Sequence, residues 1–489
     1  GSVEQFPIKR VTCVELEPAM IEASRHFENY NHRPLEDERL RLVANDGRNF
    51  IYTTNEKFDV IVSEPSNPWL TGVANLFTLE YFKRGADRLT DDGIFSQWLQ
   101  IYEMSPEDVK TLIGTFRAAF PYVYLFRGAE GDLMLLGSKR KQEFDLSVIA
   151  SHMKDEKVAA DLARVDMRSV SDLMSRFYLG HEEVDLFARS TEINTDDNAL
   201  IEFSAPRKVG LNEETVIRNV NQLLDYAVSP LKYSDGLGGD ARYEADFLVK
   251  AALAAVKRQD HSRAEHFVNY SLDLAETASA FGMQGELRLA RKDETGAIES
   301  WQRALALDGK HFYTLIDLGR YYLTKQDTPR AAGFLDRAIE IDPVSARARH
   351  LRGLAYQAEG DHSRAAVEYR KALPDGEYTH SVKTFYLNFG TALIQTGLYE
   401  EAAQMLEEYT RLAPNDSDGH FQLGVAYEVI SSRSLDDATT QRAIDELRLA
   451  LSIKRDYPLA HYYLSKAYRR LGMMDQANAE FELYERLSP

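Results

Sequence analysis

Cys13 is the only cysteine in 489 residues, so no disulfide can close within the chain and no thiolate cluster can hold a metal. That scarcity fits a reducing compartment. Long apolar runs are missing as well. No stretch approaches the roughly 18 consecutive apolar residues of a membrane span, and the opening residues lack a signal-peptide pattern. Positive charge is in deficit: 58 Lys and Arg stand against 77 Asp and Glu. The resulting net charge of −19 argues against a general nucleic-acid binder, which needs a basic face. It suits cationic partners or plain solubility. The histidines show no convincing metal spacing, and His26 and His32 flank a helix end as surface residues.

The length that is there calls for about three cores of ordinary size. Over residues 1–140, strand and helix patterns alternate: strands at 10–16, 40–46, 58–64 and 93–101, helices at 18–27, 76–89 and from Pro106 on. Ser105-Pro106-Glu107-Asp108 is a good helix start, with a capping Ser, Pro in the first position and acids in the first turn. Two strands, 122–127 and 132–138, close the region as a hairpin. The alternation predicts a mostly parallel sheet with helices on both faces. Residues 141–205 read as a helical appendage ending in a strand at 198–204 (NALIEFS). Residues 207–245 read as a linker, whose glycines at 236, 238 and 239 do not follow a strand and make no phosphate loop.

From residue 246 to 489 the strands give way to a repeat. Leu318-Gly319, Tyr322, Ala331, Leu335, Ala338 and Pro343 recur as Gly353, Tyr356, Ala365, Tyr369 and Ala372. Gly390, Ala402, Leu406 and Pro414 follow, then Leu423-Gly424, Tyr427, Leu447 and Ala450, then Leu464, Tyr468, Ala477 and Phe481. The period of about 34 residues and the small-residue positions are those of tetratricopeptide helix pairs, which predicts an all-α solenoid with a protein-binding surface. A short insertion falls near Pro374–Thr379 and a longer one around residues 431–440. Trp301 reads as repeat core.

In an open parallel sheet, ligands bind at the carboxyl ends of the strands. Three such ends carry acids here: Glu15 in VELEP, Asp46 in ANDGRNF and Glu64 in SEPSNPW. An acid after the first strand can accept both ribose hydroxyls of a nucleoside, and one after the second can take an adenine amino group. Together, in this order, they point to an adenosine-containing ligand.

At these residues the sequence resembles the spermidine/spermine synthase family, through VTCVELEP, ANDGRNF, FDVIVSEPSNPW, LFTLEYF and GIFSQWLQIY over residues 8–140. The resemblance implies a Rossmann-like, methyltransferase-type α/β domain over 1–206 in front of the tetratricopeptide solenoid. It also implies transfer of an aminopropyl group from decarboxylated S-adenosylmethionine, as co-substrate and without a metal, to a small-molecule amine. By that resemblance Glu15 holds the ribose, Asp46 with Gly47 the adenine end, and Glu64 is the base toward the amine. Asn67 stands where the family has a second acid. Gln97 and Tyr102, with Trp98, line the amine pocket or pack the core; Thr195-Asp196-Asp197 projects an acid toward the site or forms a turn.

The family's first strand and glycine loop should precede Arg10. The resemblance therefore implies a longer protein, cytoplasmic or anchored at the cytoplasmic face of the inner membrane through an upstream region. Two other readings stay open: a repeat scaffold carrying a catalytically degenerate nucleoside-binding domain, and an S-adenosylmethionine-dependent methyltransferase.

Overall fold

The computed structural model describes residues 1–70, 72–129, 131–208, 214–373 and 382–488. The chain divides into two compact units, Gly1–Ala297 and Ile298–Pro489. The first opens with β1 (Val11–Glu15), α1 (Pro18–Ala23), β2 (Leu40–Ala44), α2 (Gly47–Thr53) and β3 (Phe58–Ser63). It continues with α3 (Leu79–Arg88), β4 (Leu89–Gln100) and α4 (Pro106–Ala119). Side-chain caps fix the helix starts. Glu17 accepts from Ala19 N, Asp46 from Asn49 N, Thr78 from Tyr81 N and Ser105 from Asp108 N, each satisfying an amide that the helix itself cannot.

β1 pairs β2 in parallel, and β3 pairs β4 in parallel. Beyond them the sheet turns antiparallel: β5 (Tyr122–Arg127) and β6 (Asp132–Ser138) form the expected hairpin, with β6 laid against β4. Among the described residues no ladder joins β1 to β3, so β1–β2 and β3–β4 belong to separate sheets. Val60 and Val62 of β3 are 58% and 53% exposed. Val14, Val43 and Phe58 nevertheless pack against one common core, built on Phe82, Phe95, Phe116 and Phe120.

A run of short elements follows: β7 (Phe144–Asp145), α5 (Leu146–His152), α6 (Glu156–Ala163), α7 (Val170–Met174), β8 (Phe177–Leu179) and α8 (His181–Phe187). β8 adds to β5, giving the order β3-β4-β6-β5-β8. The strand expected at 198–204 is instead α9 (Leu200–Ser204). Asn198 Oδ1 accepts from Thr195 N at 2.9 Å and Asn194 Oδ1 from Ile201 N at 3.2 Å. These side chains coil the backbone, and Ile201 drops into the core. The 207–245 stretch read as a linker also carries structure. On α10 (Glu214–Leu224), Val220, Leu223 and Leu224 join the main core, because the helix presents one apolar face to it. β9 (Ser234–Asp235) pairs β7. Only at Gly236, Gly238 and Gly239, all at positive φ, is the turn chemistry as read.

The first unit also contains α11 (Ala241–Lys257), α12 (His261–Leu274) and α13 (Ala278–Ala290). Leu248, Ala251, Ala264 and Phe267 share a core with Leu146 and Met174. Arg263 is fully buried there. It donates to Phe177 O at 2.6 Å and Val228 O at 2.8 Å, and lies 4.3 Å from the centre of the Phe267 ring. Asp260 caps α12 through Arg263 N and accepts from Arg127 at 2.7 Å and Tyr178 at 2.6 Å. Burial, then the Asp260 charge, push the Tyr178 phenol up.

After α14 (Glu294–Leu307) the described residues of the second unit form five helix pairs. They are α15 (Phe312–Thr324) with α16 (Thr328–Ile341), α17 (Ala346–Ala358) with α18 (His362–Lys371), α19 (Val382–Gln395) with α20 (Tyr399–Leu412), α21 (Ser417–Ser434) with α22 (Asp437–Ile453), and α23 (Pro458–Arg470) with α24 (Met474–Leu487). The repeated glycines sit where helices touch. A Cβ on Gly319 would lie 2.6 Å from Leu335, on Gly353 2.4 Å from Tyr369, and on Gly424 2.7 Å from Leu447. Trp301 is buried beside Tyr321, as expected. The insertion around 431–440 is absorbed by lengthening α21 and α22 to 18 and 17 residues, against 13 in α15. The one near Pro374–Thr379 lies outside the described residues.

His350 on α17 is 3% exposed and meets the Tyr369 and Phe385 rings at 5.7 and 5.4 Å. Burial pulls its pKa down to about 4. In the unfolded chain an imidazole takes its proton near pH ~6.5. Between those values the unfolded state binds more protons, so the stability of this unit falls as pH drops through the window, by up to about 3 kcal/mol. Denaturant midpoints measured across that range should fall less steeply in His350→Leu than in the parent chain. Equal slopes would remove His350 as the cause.

Candidate active site at the strand ends

The register of β1 and β2 sets Glu15 opposite Ala44, and Asn45 N donates to Glu15 O at 3.1 Å. Glu15 and Asp46 therefore lie at the same carboxyl end of adjacent strands. Both already hold backbone. Glu15 Oε1 accepts from Glu17 N at 2.9 Å, and Asp46 Oδ1 accepts from Asn49 N at 2.7 Å. Gly47 opens α2, with nothing within 4 Å of the place a Cβ would occupy, so the backbone there can be approached closely. Cys13, on β1, carries a thiol pushed up by burial and then by the Glu15 charge; it is held as a thiol rather than a reactive thiolate.

Glu64 follows β3 directly and is exposed. Ser63, just before it, sits in register with Gln97 of β4 and accepts from the Tyr81 hydroxyl at 3.3 Å. The loop beyond Glu64 is pinned over the end of β4. Tyr102 OH donates to Asn67 Oδ1 at 3.4 Å, and the Trp69 ring meets the Tyr102 ring edge-on at 5.9 Å. Burial pushes the Tyr102 phenol up, so it remains a neutral donor. The structure thus brings Asn67 and Tyr102 together beside Glu64. Gln97 is fully buried. Its Nε2 donates to Trp98 O at 3.0 Å, and its Oε1 is buried with no partner; of the two readings for this residue, the side chain occupies the core.

One residue went unnoticed in the sequence. Arg48, two positions after Asp46, donates to Asn75 O, to Thr78 Oγ1 at 3.2 Å, to Tyr52 OH at 3.2 Å and to Asp196. It gathers α2, the approach to α3 and the Thr195–Asp197 turn around the start of α2. Asp196 is therefore spent on Arg48, while its own N donates to Glu80 at 2.9 Å. The only sequence signal for Arg48 was its place inside ANDGRNF. His32, read as a surface residue, meets Asp161 at 2.8 Å.

Residues 2–142 match the spermine/spermidine synthase domain family. Residues 316–378 and 384–416 match tetratricopeptide repeat families. Among curated proteins, the polyamine aminopropyltransferase of Buchnera aphidicola subsp. Acyrthosiphon pisum (strain Tuc7) is 37% identical over 89 residues, which is 18% of this chain and 31% of that protein. The polyamine aminopropyltransferase of Serratia proteamaculans (strain 568) matches with the same identity and coverage. The chain spans about a third of the length of these relatives. Among solved structures, YrrB, described as a TPR protein with an unusual peptide-binding site, is 18% identical with a TM-score of 0.35, covering 39% of this chain and 92% of that one. The chain carries a spermine/spermidine synthase domain at its N-terminus, followed by tetratricopeptide repeats.

Proposed function

We propose that the first unit transfers an aminopropyl group from decarboxylated S-adenosylmethionine to a small-molecule amine, and that the repeats supply a docking surface for a partner protein. The observation that carries the reading is the set of three acids, Glu15, Asp46 and Glu64, at carboxyl ends of parallel strands inside the segment that matches the synthase family. Glu15 would accept the ribose hydroxyls and Asp46 the adenine amino group, with Gly47 leaving room for the base.

The chemistry needs the third acid. A free alkylamine titrates near ~10 and arrives as an ammonium ion. Glu64 can bind that ion and take one proton as the nitrogen attacks the methylene carbon beside the sulfonium. A carbon–nitrogen bond forms, the carbon–sulfur bond breaks, and the electron pair leaves with sulfur as neutral methylthioadenosine. Holding the nitrogen in line with the breaking bond supplies much of the remaining acceleration. Asn67, bonded to Tyr102, offers an amide where the family has a carboxylate. The amine site therefore recognises one cationic nitrogen more strongly than a second.

Calorimetric titration of the chain with decarboxylated S-adenosylmethionine, S-adenosylmethionine and methylthioadenosine tests the nucleoside half. Glu15→Ala and Asp46→Ala should each weaken binding about 10- to 100-fold, the range for losing a hydrogen bond to a charged group. Unchanged affinity in both variants would place the ligand elsewhere.

A further inference from the structure

β4 ends on an idle amide. Gln100 is fully buried, and among the described residues neither its Oε1 nor its Nε2 has a hydrogen-bond partner. A buried polar group left so is uncommon and asks for a cause. The register of β4 and β6 sets Gln100 directly opposite Asp132, the first residue of β6. Residues paired across a ladder share a face, so the amide and the carboxylate lie side by side at the rim of the sheet. Asp132 is half-buried, and among the described residues its carboxylate makes no ion pair and no hydrogen bond.

This rim lies beside the proposed base. Ser63 is in register with Gln97. Continuing β3 by one residue brings Glu64 level with Trp98, on the face that carries Gln100 and Asp132. Tyr102 spans the ground between. Its hydroxyl donates to Asn67 Oδ1 at 3.4 Å, in the loop after Glu64. Its ring edge rests on the turn before Asp132: a Cβ on Gly131 would lie 3.1 Å from Tyr102 Cδ1, and Ile101 N donates to Gly131 O at 2.7 Å. After burial, the charges of Asp132 and then Glu103 push the Tyr102 phenol up. Two strand spacings of about 4.8 Å and two residues of about 3.3 Å separate Glu64 from Asp132, roughly 12 Å between α-carbons. Asn67 thus removes a carboxylate three residues from Glu64, while Asp132 holds one farther out.

We propose that Asp132 and Gln100 form the far anchor of the amine, so that the acceptor is a diamine whose nitrogens are spaced more widely than four carbons allow. An ammonium group carries three N–H donors. One placed at Asp132 gives Gln100 Oε1 the donor that it lacks, with the methylenes laid along Tyr102. The proposal rests on the aminopropyl-transfer reading of the first unit and adds the length of the acceptor and the residues that measure it.

Two readouts on the full chain keep the anchor and the reaction apart. One is calorimetric binding of the amine in the presence of methylthioadenosine, and the other is release of methylthioadenosine from decarboxylated S-adenosylmethionine. The probes are the four-carbon and seven-carbon diamines and the seven-carbon monoamine. The longer diamine should bind at least about tenfold tighter than the shorter, the scale of a hydrogen bond to a charged group. Asp132→Asn should erase that preference through KM rather than kcat, and leave the monoamine within about twofold of the parent. Glu103→Gln, which changes the other acid near Tyr102, should leave the preference intact. If the shorter diamine binds as well, or the preference survives Asp132→Asn, or it is lost in Glu103→Gln instead, the anchor falls and the reaction stands. If the longer diamine binds through Asp132 but no methylthioadenosine is released, the reaction falls and the anchor stands. If no amine binds, both fall.

Discussion

Arg263→Ala is expected to destabilise the first unit by about 3–5 kcal/mol, the scale of breaking a buried charged contact. The side chain is fully buried and gives two short hydrogen bonds to Phe177 O and Val228 O. Alanine leaves both carbonyls dry and unpaired and empties the space above Phe267. The same four-residue cap occurs a second time, Asp260-His261-Ser262-Arg263 and Asp361-His362-Ser363-Arg364, which supplies an internal control. Arg364 also sits three residues after its capping Asp, at 2.6 Å from it, but its side chain is 60% exposed. Arg364→Ala should therefore leave the urea midpoint close to that of the parent chain. Urea titrations followed by circular dichroism and tryptophan fluorescence compare the two. Equal midpoints in both variants would mean that Arg263 does not anchor α12 to the sheet.

Glu64→Gln is expected to lower turnover about 100- to 10,000-fold, the usual contribution of a positioned base, while nucleoside affinity changes by less than about twofold. Gln keeps the size and a hydrogen-bonding oxygen but can neither bind the ammonium strongly nor accept its proton. Release of methylthioadenosine in the presence of a diamine gives the rate. Its companion is Asn67→Asp, which restores the second charge and should lower KM for diamines relative to monoamines. A Glu64→Gln enzyme with parental turnover would remove Glu64 from the chemistry. Parental behaviour of Asn67→Asp would show that this position does not select the amine.

Much of this architecture was legible in the sequence because its causes are local. The spacing of Gly319, Gly353, Gly390 and Gly424 reports helix contacts that tolerate no Cβ, and the acids at strand ends follow from two-residue periodicity and a turn. Ser105 is read as a cap and is one. Where the reading failed, tertiary contacts decided. NALIEFS alternates as a strand does, yet Asn194 and Asn198 coil it and Ile201 supplies the burial. The apolar face of α10 is visible only once there is a core for it to cover. For Gln97, where pocket and core were both open, neither type nor position shows that the side chain is enclosed. Arg48 was hidden because its partners, Asn75, Thr78 and Asp196, lie 27 to 148 positions away.

The division of the strands has a mechanical consequence for the reaction. Glu15 and Asp46 ride on the two-stranded sheet and Glu64 on the five-stranded one, with no backbone ladder between them among the described residues. On the proposed reaction, a nucleoside held by the first pair with its reactive carbon at Glu64 would span both sheets as a tie rod does. Loading would then brace a joint that Val14, Val43 and Phe58 already close through their shared core, and departure of methylthioadenosine would remove the brace.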